Sequence, residues 1–313
     1  MAFKRVPQKF TASVNEVTIG TGDKAIVLGG ENVMPLYSFD APIANRAKIG
    51  VEITDSGYDK TVPGIAAFYA GAETIGDIAK RASEMPGGDF VVLTLEGADP
   101  NGENKSIDEC AAIAKEVADA IDCPLAIQGC KNIEKDAEMF NKLAEVLQGK
   151  NVLLISARTE DYKTVAAGAV LAYGQKISAE SAVDINLAKQ LNVLISQMGV
   201  SADSYVMNVG SAAAGYGFEY VASTLDRVRG AALSQNDAML QMPIVTPVAD
   251  DAWSVKESVV SEEDFPEWGP RENRGVQMEV STAAACLAGG SNAVILRHPE
   301  SVKTIAEIIA DLT

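Results

Sequence analysis

The sequence predicts a closed (β/α)8 barrel preceded by a β-hairpin. Three observations carry that reading. Short apolar runs of strand length recur eight times from residue 48 onward. Each is followed by one amphipathic helical pattern, the last of which ends the chain. No low-complexity linker or shift of composition interrupts the alternation. Alternating strand and helix with parallel connections is the signature of an α/β sheet, and eight units close it into a barrel. An open doubly wound sheet is the runner-up; it needs a switch point and usually fewer units. The 313 residues are therefore expected to form a single domain, with residues 1–45 a hairpin extension and residues 46–313 the barrel.

The elements follow in order. "VTIG" and "KAIVLGG" read as two strands joined by the turn residues "GTGD",. Four glycines lie there, but no helix follows them, so the geometry of a phosphate-binding helix start is missing. The hairpin is expected to plug the amino-terminal mouth of the barrel. The eight barrel strands are placed at 48–53, 90–95, 124–128, 151–156, 175–180, 204–209, 243–248 and 293–298. Between them, Ser106 and Glu109 form a capping-box pair ahead of an apolar stripe at Cys110, Ala114, Val117 and Ile121,. Ile133, Ala137, Phe140, Ala144 and Leu147 form the next stripe. Residues 183–198 set Leu187, Leu191, Leu194, Ile195 and Met198 on one face, and Gly199 can end that helix,. Gly289 and Gly290 read as a helix end before the last strand. Pro299 suits a first helical position, with Val302, Ile305, Ile309 and Leu312 facing inward.

Composition narrows the function classes. Hydrophobic residues make up 47% and charged residues 22%, ample for a buried core,. A formal charge of −17 disfavours nucleic acid and anionic membrane surfaces as partners,. The amino terminus has no apolar signal core and no run spans a bilayer, so a cytoplasmic protein is expected. Cys110, Cys123, Cys130 and Cys286 match no zinc or iron–sulfur ligand spacing and read as reduced, mostly buried thiols, with Cys130 placed near a site,. A single histidine excludes three-histidine metal centres,. No metal is assigned to this chain, and no catalytic residue.

In a barrel the site lies at the carboxyl ends of the strands. Those ends deliver Thr54 and Asp55, Glu96, Gln128, Ser156 and Arg158, Ser178 and Glu180, Asn208, Thr246 with Asp250 and Asp251, and Arg297 with His298. Asp250 and Asp251 read as solvated loop charges. His298 is open between a helix cap and a ligand-facing donor. After the sixth strand comes "NVGSAAAGYG", a run of small residues that lets something broad approach the backbone,. The long connection 249–275 holds both tryptophans and reads as a lid or docking loop, with Trp253 and Trp268 the docking residues,.

Three stretches, "VTIGTGDKAIVLGGENVMPLYSFD", "ISAESAVDINLAKQLNVLISQMGV" and "MNVGSAAAGYGFEYVASTLDRVR", resemble the small subunit of the corrinoid iron–sulfur protein of the anaerobic acetyl-CoA pathway, whose archaeal relative is the delta subunit of the acetyl-CoA decarbonylase/synthase complex. The similarity runs along the whole chain. It implies a heterodimer with a large subunit that carries a [4Fe–4S] cluster and a corrinoid-binding domain, with the corrinoid between the subunits over the barrel mouth. It further implies that the cobalt takes a methyl group from a methyltetrahydrofolate methyltransferase and delivers it to acetyl-CoA synthase/CO dehydrogenase. The small subunit is then a carrier component rather than a self-sufficient enzyme.

The D-x-H-x-x-G pattern of many cobalamin domains is absent, since Leu296 precedes His298 by two residues and Ser301 follows it by three. The resemblance brings no contact set of its own. The strand ends supply the candidate corrinoid contacts: Asn208, Gly210, Ser211, Ala213, Glu180, Gln128, Arg297 and His298. Two other readings stand beside this one. The first is a pterin-dependent methyltransferase barrel using Asn208, Glu180 and Asp184. The second is a barrel enzyme acting on a small phosphorylated substrate.

Overall fold

The alternation of apolar and polar side chains along each strand fixes two faces, and the fold follows from how those faces are buried. A computed structural model describes residues 6–313. Strands β1 (Val17–Ile19) and β2 (Ile26–Leu28) pair antiparallel. The barrel strands are β3 (Lys48–Thr54), β4 (Phe90–Thr94), β5 (Leu125–Gln128), β6 (Leu153–Ala157), β7 (Lys176–Glu180), β8 (Tyr205–Asn208), β9 (Val245–Pro247) and β10 (Ala293–Leu296). They form one parallel sheet in the order β8-β7-β6-β5-β4-β3-β10-β9. A parallel bridge from Met207 to Ile244 joins the two ends, with the Met207 N–H donating to the Pro243 carbonyl at 2.7 Å. The predicted eight-stranded barrel is therefore present, each strand within two residues of its expected start or end. Arg297 and His298 fall just beyond β10 rather than inside it.

The barrel interior is a separate apolar cluster. Phe90, Val92, Leu153, Ile155, Val206 and Ile295 point inward, and Val17, Ile19 and Leu28 of the hairpin close the cluster from below. The hairpin plugs the amino-terminal mouth as expected. Outward residues such as Val51, Leu93, Ile127 and Leu154 pack instead against the helices. Gly50 stands on the inward face of β3, where a Cβ would lie 2.7 Å from the Phe90 ring and 2.8 Å from Val92. Gly50→Val is expected to overpack this interior and cost about 1–3 kcal/mol or more. A urea midpoint equal to that of the parent would refute it.

The helices keep their sequence punctuation. The capping box of Ser106 and Glu109 opens Ile107–Ala120, and Pro299 opens Pro299–Leu312. Gly290, at φ 118°, ends Arg271–Gly289 in the left-handed region. Several details differ from expectation. The β3 connection holds two helices, Pro63–Phe68 and Ile75–Ser83. The stripe of Ile185–Gln197 centres on Ala188, Leu191, Asn192 and Ile195, because Asn192 is buried with its amide donating to the Met239 carbonyl at 2.7 Å. Leu312 is exposed.

The connection 249–275 is not a structureless lid. It holds short helices at Val248–Ala252 and Lys256–Val259, and Arg271 already begins the long helix. Among the described residues, no helix is long and apolar enough to cross a membrane.

Candidate functional site

At the carboxyl ends of the strands the inward positions turn polar. Glu52 on β3 is 2% exposed and accepts from the Thr94 hydroxyl on β4 at 2.9 Å. Arg297, just past β10, closes on its other oxygen, with Nε at 2.9 Å and Nη2 at 2.8 Å. Arg297 also stands 4.0 Å from Asp250. Asp250 in turn meets Lys131 at 3.2 Å and accepts a short hydrogen bond from the Gln128 amide. This chain of charges crosses the mouth and leaves a cavity of about 310 Å³ on one side and one of about 240 Å³ on the other.

The larger cavity is bordered by β5 to β8. The Asn208 amide donates to Ser156 Oγ at 3.1 Å, and Ser156 and Ser178 share a hydrogen bond at 3.2 Å. Asn208 Oδ1 accepts from the Gly210 N–H at 3.0 Å, which bends the chain out of β8. Gly210 sits at φ 92°, and a Cβ there would press on Val183. Its glycine is demanded by the backbone as well as by open space. Arg158 pairs with Glu180 through Nε and Nη2 at 3.1 and 3.3 Å and reaches within 3.9 Å of Asp136. Burial raises the Asp136 carboxyl above its usual range,. The same burial pushes the Cys130 thiol, 3.2 Å from Asp136, up to about 11, so it stays protonated and unreactive,.

The predicted residues divide accordingly. Gln128, Glu180, Asn208, Gly210 and Ser211 come together around the larger cavity. Arg297 borders the smaller one. Ala213 is 1% exposed and does not line the cavity, so it is packed behind the floor. His298 lines neither of the two mouth cavities, and of the two roles open to it the helix cap is the one observed. Its Nδ1 accepts from the Glu300 N–H at 3.1 Å as a helix cap, which leaves Nε2 to donate to Glu272 at 2.9 Å,. Trp253 is not a surface residue. It stacks on His298 with ring centroids 5.7 Å apart and lies flat against Gly275. Trp268 is half-buried, stacked on Phe265 at 4.4 Å under the Lys256 ammonium. Asp250 and Asp251 are not solvated loop charges but cavity walls, and burial raises the Asp251 carboxyl. Asp184 is an exposed helix cap binding the N–H groups of Asn186 and Leu187, which takes it out of any ligand role beside Asn208.

Sequence reading missed Glu52, Lys131, Asp136, Tyr58 and Tyr69. Glu52 did leave a signal, because a carboxylate within the apolar run "KIGVEIT" is rare unless paired,. Burial pushes Glu52 up to about 7, opposed by the Arg297 charge,. A carboxyl raised from 4.5 to about 7 stabilises the fold below the lower value and loses that contribution as pH climbs through the upper one,. Relative to Glu52→Gln, the parent is therefore expected to lose thermal stability between about pH 4.5 and 7,. A constant difference in Tm across that window would refute the assignment.

Fold and mouth together define a TIM barrel with a divided, polar binding face at the carboxyl ends of its strands. Solved structures agree on the fold. A dihydropteroate synthase from Xanthomonas albilineans superposes at TM-score 0.55 with 10% identity, covering 95% of this chain and 98% of that one. The Thermus thermophilus dihydropteroate synthase gives 0.53 with 13% identity over 95% and 100% of the two chains.

Among curated proteins, subunit delta 1 of the acetyl-CoA decarbonylase/synthase complex from Methanosarcina thermophila is 32% identical over 97% of this chain and 72% of its own length. The delta subunit from Archaeoglobus fulgidus is 30% identical over 99% and 71%. The family model for the CO dehydrogenase/acetyl-CoA synthase delta subunit matches residues 16–306. The chain belongs to the CO dehydrogenase/acetyl-CoA synthase delta subunit family. That is the family to which the resemblance in the sequence pointed.

Proposed function

We propose that this chain is the small subunit of a corrinoid iron–sulfur methyl carrier in the acetyl-CoA pathway, and that its larger cavity receives the rim of a corrinoid shared with a large subunit. The observation that carries the reading is a pair of unsatisfied groups in that cavity. Gln128 Oε1 and Arg158 Nη1 are buried with no hydrogen-bond partner among the described residues, Nη1 having only the Asp136 carboxylate at 3.9 Å, beyond hydrogen-bond reach. Leaving such groups unpaired is costly, by about 1–3 kcal/mol each. One is an acceptor and the other a donor. A corrinoid rim bears carboxamide side chains, which offer both in return.

Size supports the same arrangement. A cavity of about 310 Å³ is at the lower end for a small-molecule site and cannot enclose a macrocycle,. The ring would lie over the mouth with its substituents entering, leaving its other face for a second protein. The small residues after β8 keep that approach open. The corrinoid, when bound, supplies the cobalt that carries the methyl group. This chain's part is to bind and orient the rim through Gln128, Arg158, Asn208 and Ser211. The [4Fe–4S] cluster belongs to the large subunit, the methyl donor is a methyltetrahydrofolate methyltransferase, and the acceptor is acetyl-CoA synthase/CO dehydrogenase.

The test is absorbance. Co-expressed with its large subunit and supplied anaerobically with cobalamin, the pair is expected to retain the corrinoid spectrum through desalting. A pair that shows the iron–sulfur absorbance alone, with no corrinoid bands and no cobalt after desalting, would overturn the proposal. Transfer of a methyl group from methyltetrahydrofolate to free cobalamin by this chain alone would replace it with a methyltransferase.

A further inference from the structure

The smaller cavity lies across the Arg297–Asp250 divider and has no part in the corrinoid reading. Its wall is aromatic, with Tyr58 and Tyr69 stacked at 5.2 Å between centroids and 29° between planes, beside Ile53 and Ile65. Its polar groups are mostly committed. Glu52 is held by Thr94 and Arg297, and Asp59 by Thr61 and Arg271. Tyr69 is the exception: it is 2% exposed, lines the cavity, and its hydroxyl has no partner among the described residues. A buried hydroxyl without a partner in a native fold calls for an explanation, and a bound molecule supplies one.

The lining also selects by charge and shape. The one guanidinium in the lining, Arg297, is already paired with Glu52, Asp59 is paired with Arg271, and Glu96 adds a further carboxyl, so an anion finds no free counter-charge in the lining,. The stacked tyrosines favour a flat ring. A volume of about 240 Å³ suits one or two rings,.

We propose that the cavity walled by Tyr58, Tyr69 and Arg297 is a second binding site, for a small, uncharged heteroaromatic molecule bearing a carbonyl or ring nitrogen that accepts from the Tyr69 hydroxyl. The ring lies against the tyrosine wall, and its acceptor satisfies the one uncommitted buried donor. Phosphates and carboxylates are excluded.

Nicotinamide and nicotinate are the matched probes, alike in shape and different in charge. Titrated into the full chain and followed by calorimetry or saturation-transfer NMR, nicotinamide is expected to bind saturably and nicotinate at least tenfold more weakly. Tyr69→Phe keeps the stack and removes the donor, and should weaken nicotinamide at least fivefold. Ser56→Trp, at the exposed rim, should block it while preserving the circular dichroism spectrum. No saturable binding of nicotinamide, equal binding of nicotinate, or unchanged affinity in both variants would overturn the proposal. None of these outcomes touches the corrinoid reading, because no corrinoid or partner is present in the experiment.

Discussion

Arg297→Met is expected to destabilise the chain by about 3–5 kcal/mol at pH 9, because it leaves a buried carboxylate without its counter-charge. Glu52 is 2% exposed, and both of its oxygens are already engaged, by Thr94 and Arg297. Arg297 opposes the burial that drives the Glu52 pKa upward, so removing it lets that pKa climb above about 7,. The penalty therefore grows as pH rises past 7 and shrinks toward pH 6, where the carboxyl can take a proton,. Urea denaturation at the two pH values reads this directly. Adding Glu52→Gln to Arg297→Met should recover most of the loss, since an amide needs no counter-ion. An equal loss at both pH values, or no recovery in the double variant, would show that Arg297 acts through packing alone.

The second large effect concerns the mouth. Ser211→Trp should fill much of the larger cavity and lower corrinoid retention by the subunit pair at least tenfold. Ser211 is half-buried on the rim, so the indole can be accommodated without repacking the core and Tm should stay near that of the parent. Undiminished corrinoid occupancy in this variant would sink the assignment of the cavity. Gly210 and Ala213 make poorer probes, although the small-residue run first suggests them. Leucine at Gly210 would strain a backbone at φ 92°, and leucine at Ala213 would enter a closed core. Either would report on folding before it reported on binding.

Much of the site was legible because barrel geometry assigns positions. Once eight strands are placed, their carboxyl ends must converge, and Gln128, Glu180, Asn208 and Ser211 follow from the count,. Direction was less legible. His298 ends next to Arg297 in sequence, yet one turns into the mouth and the other away to cap a helix. Trp253 and Trp268 share a polar segment, yet the first is buried against Gly275 and the second lies half-buried among Phe265 and Lys256. Local composition is the same in each pair. Which side of the chain finds a partner depends on residues many positions away.

Periodicity, caps and turn residues were enough to establish strands, helices, the plugged barrel and the family, because these depend on contacts between sequence neighbours or on similarity along the whole chain. The charge chain that divides the mouth could not be read that way. Glu52 lies in β3, and Lys131, Asp250 and Arg297 follow β5, β9 and β10, so the four are up to 245 residues apart. Only closure of the barrel brings them within a few ångströms, where burial and neighbouring charges shift the pKa values of Glu52, Lys131 and Arg297,.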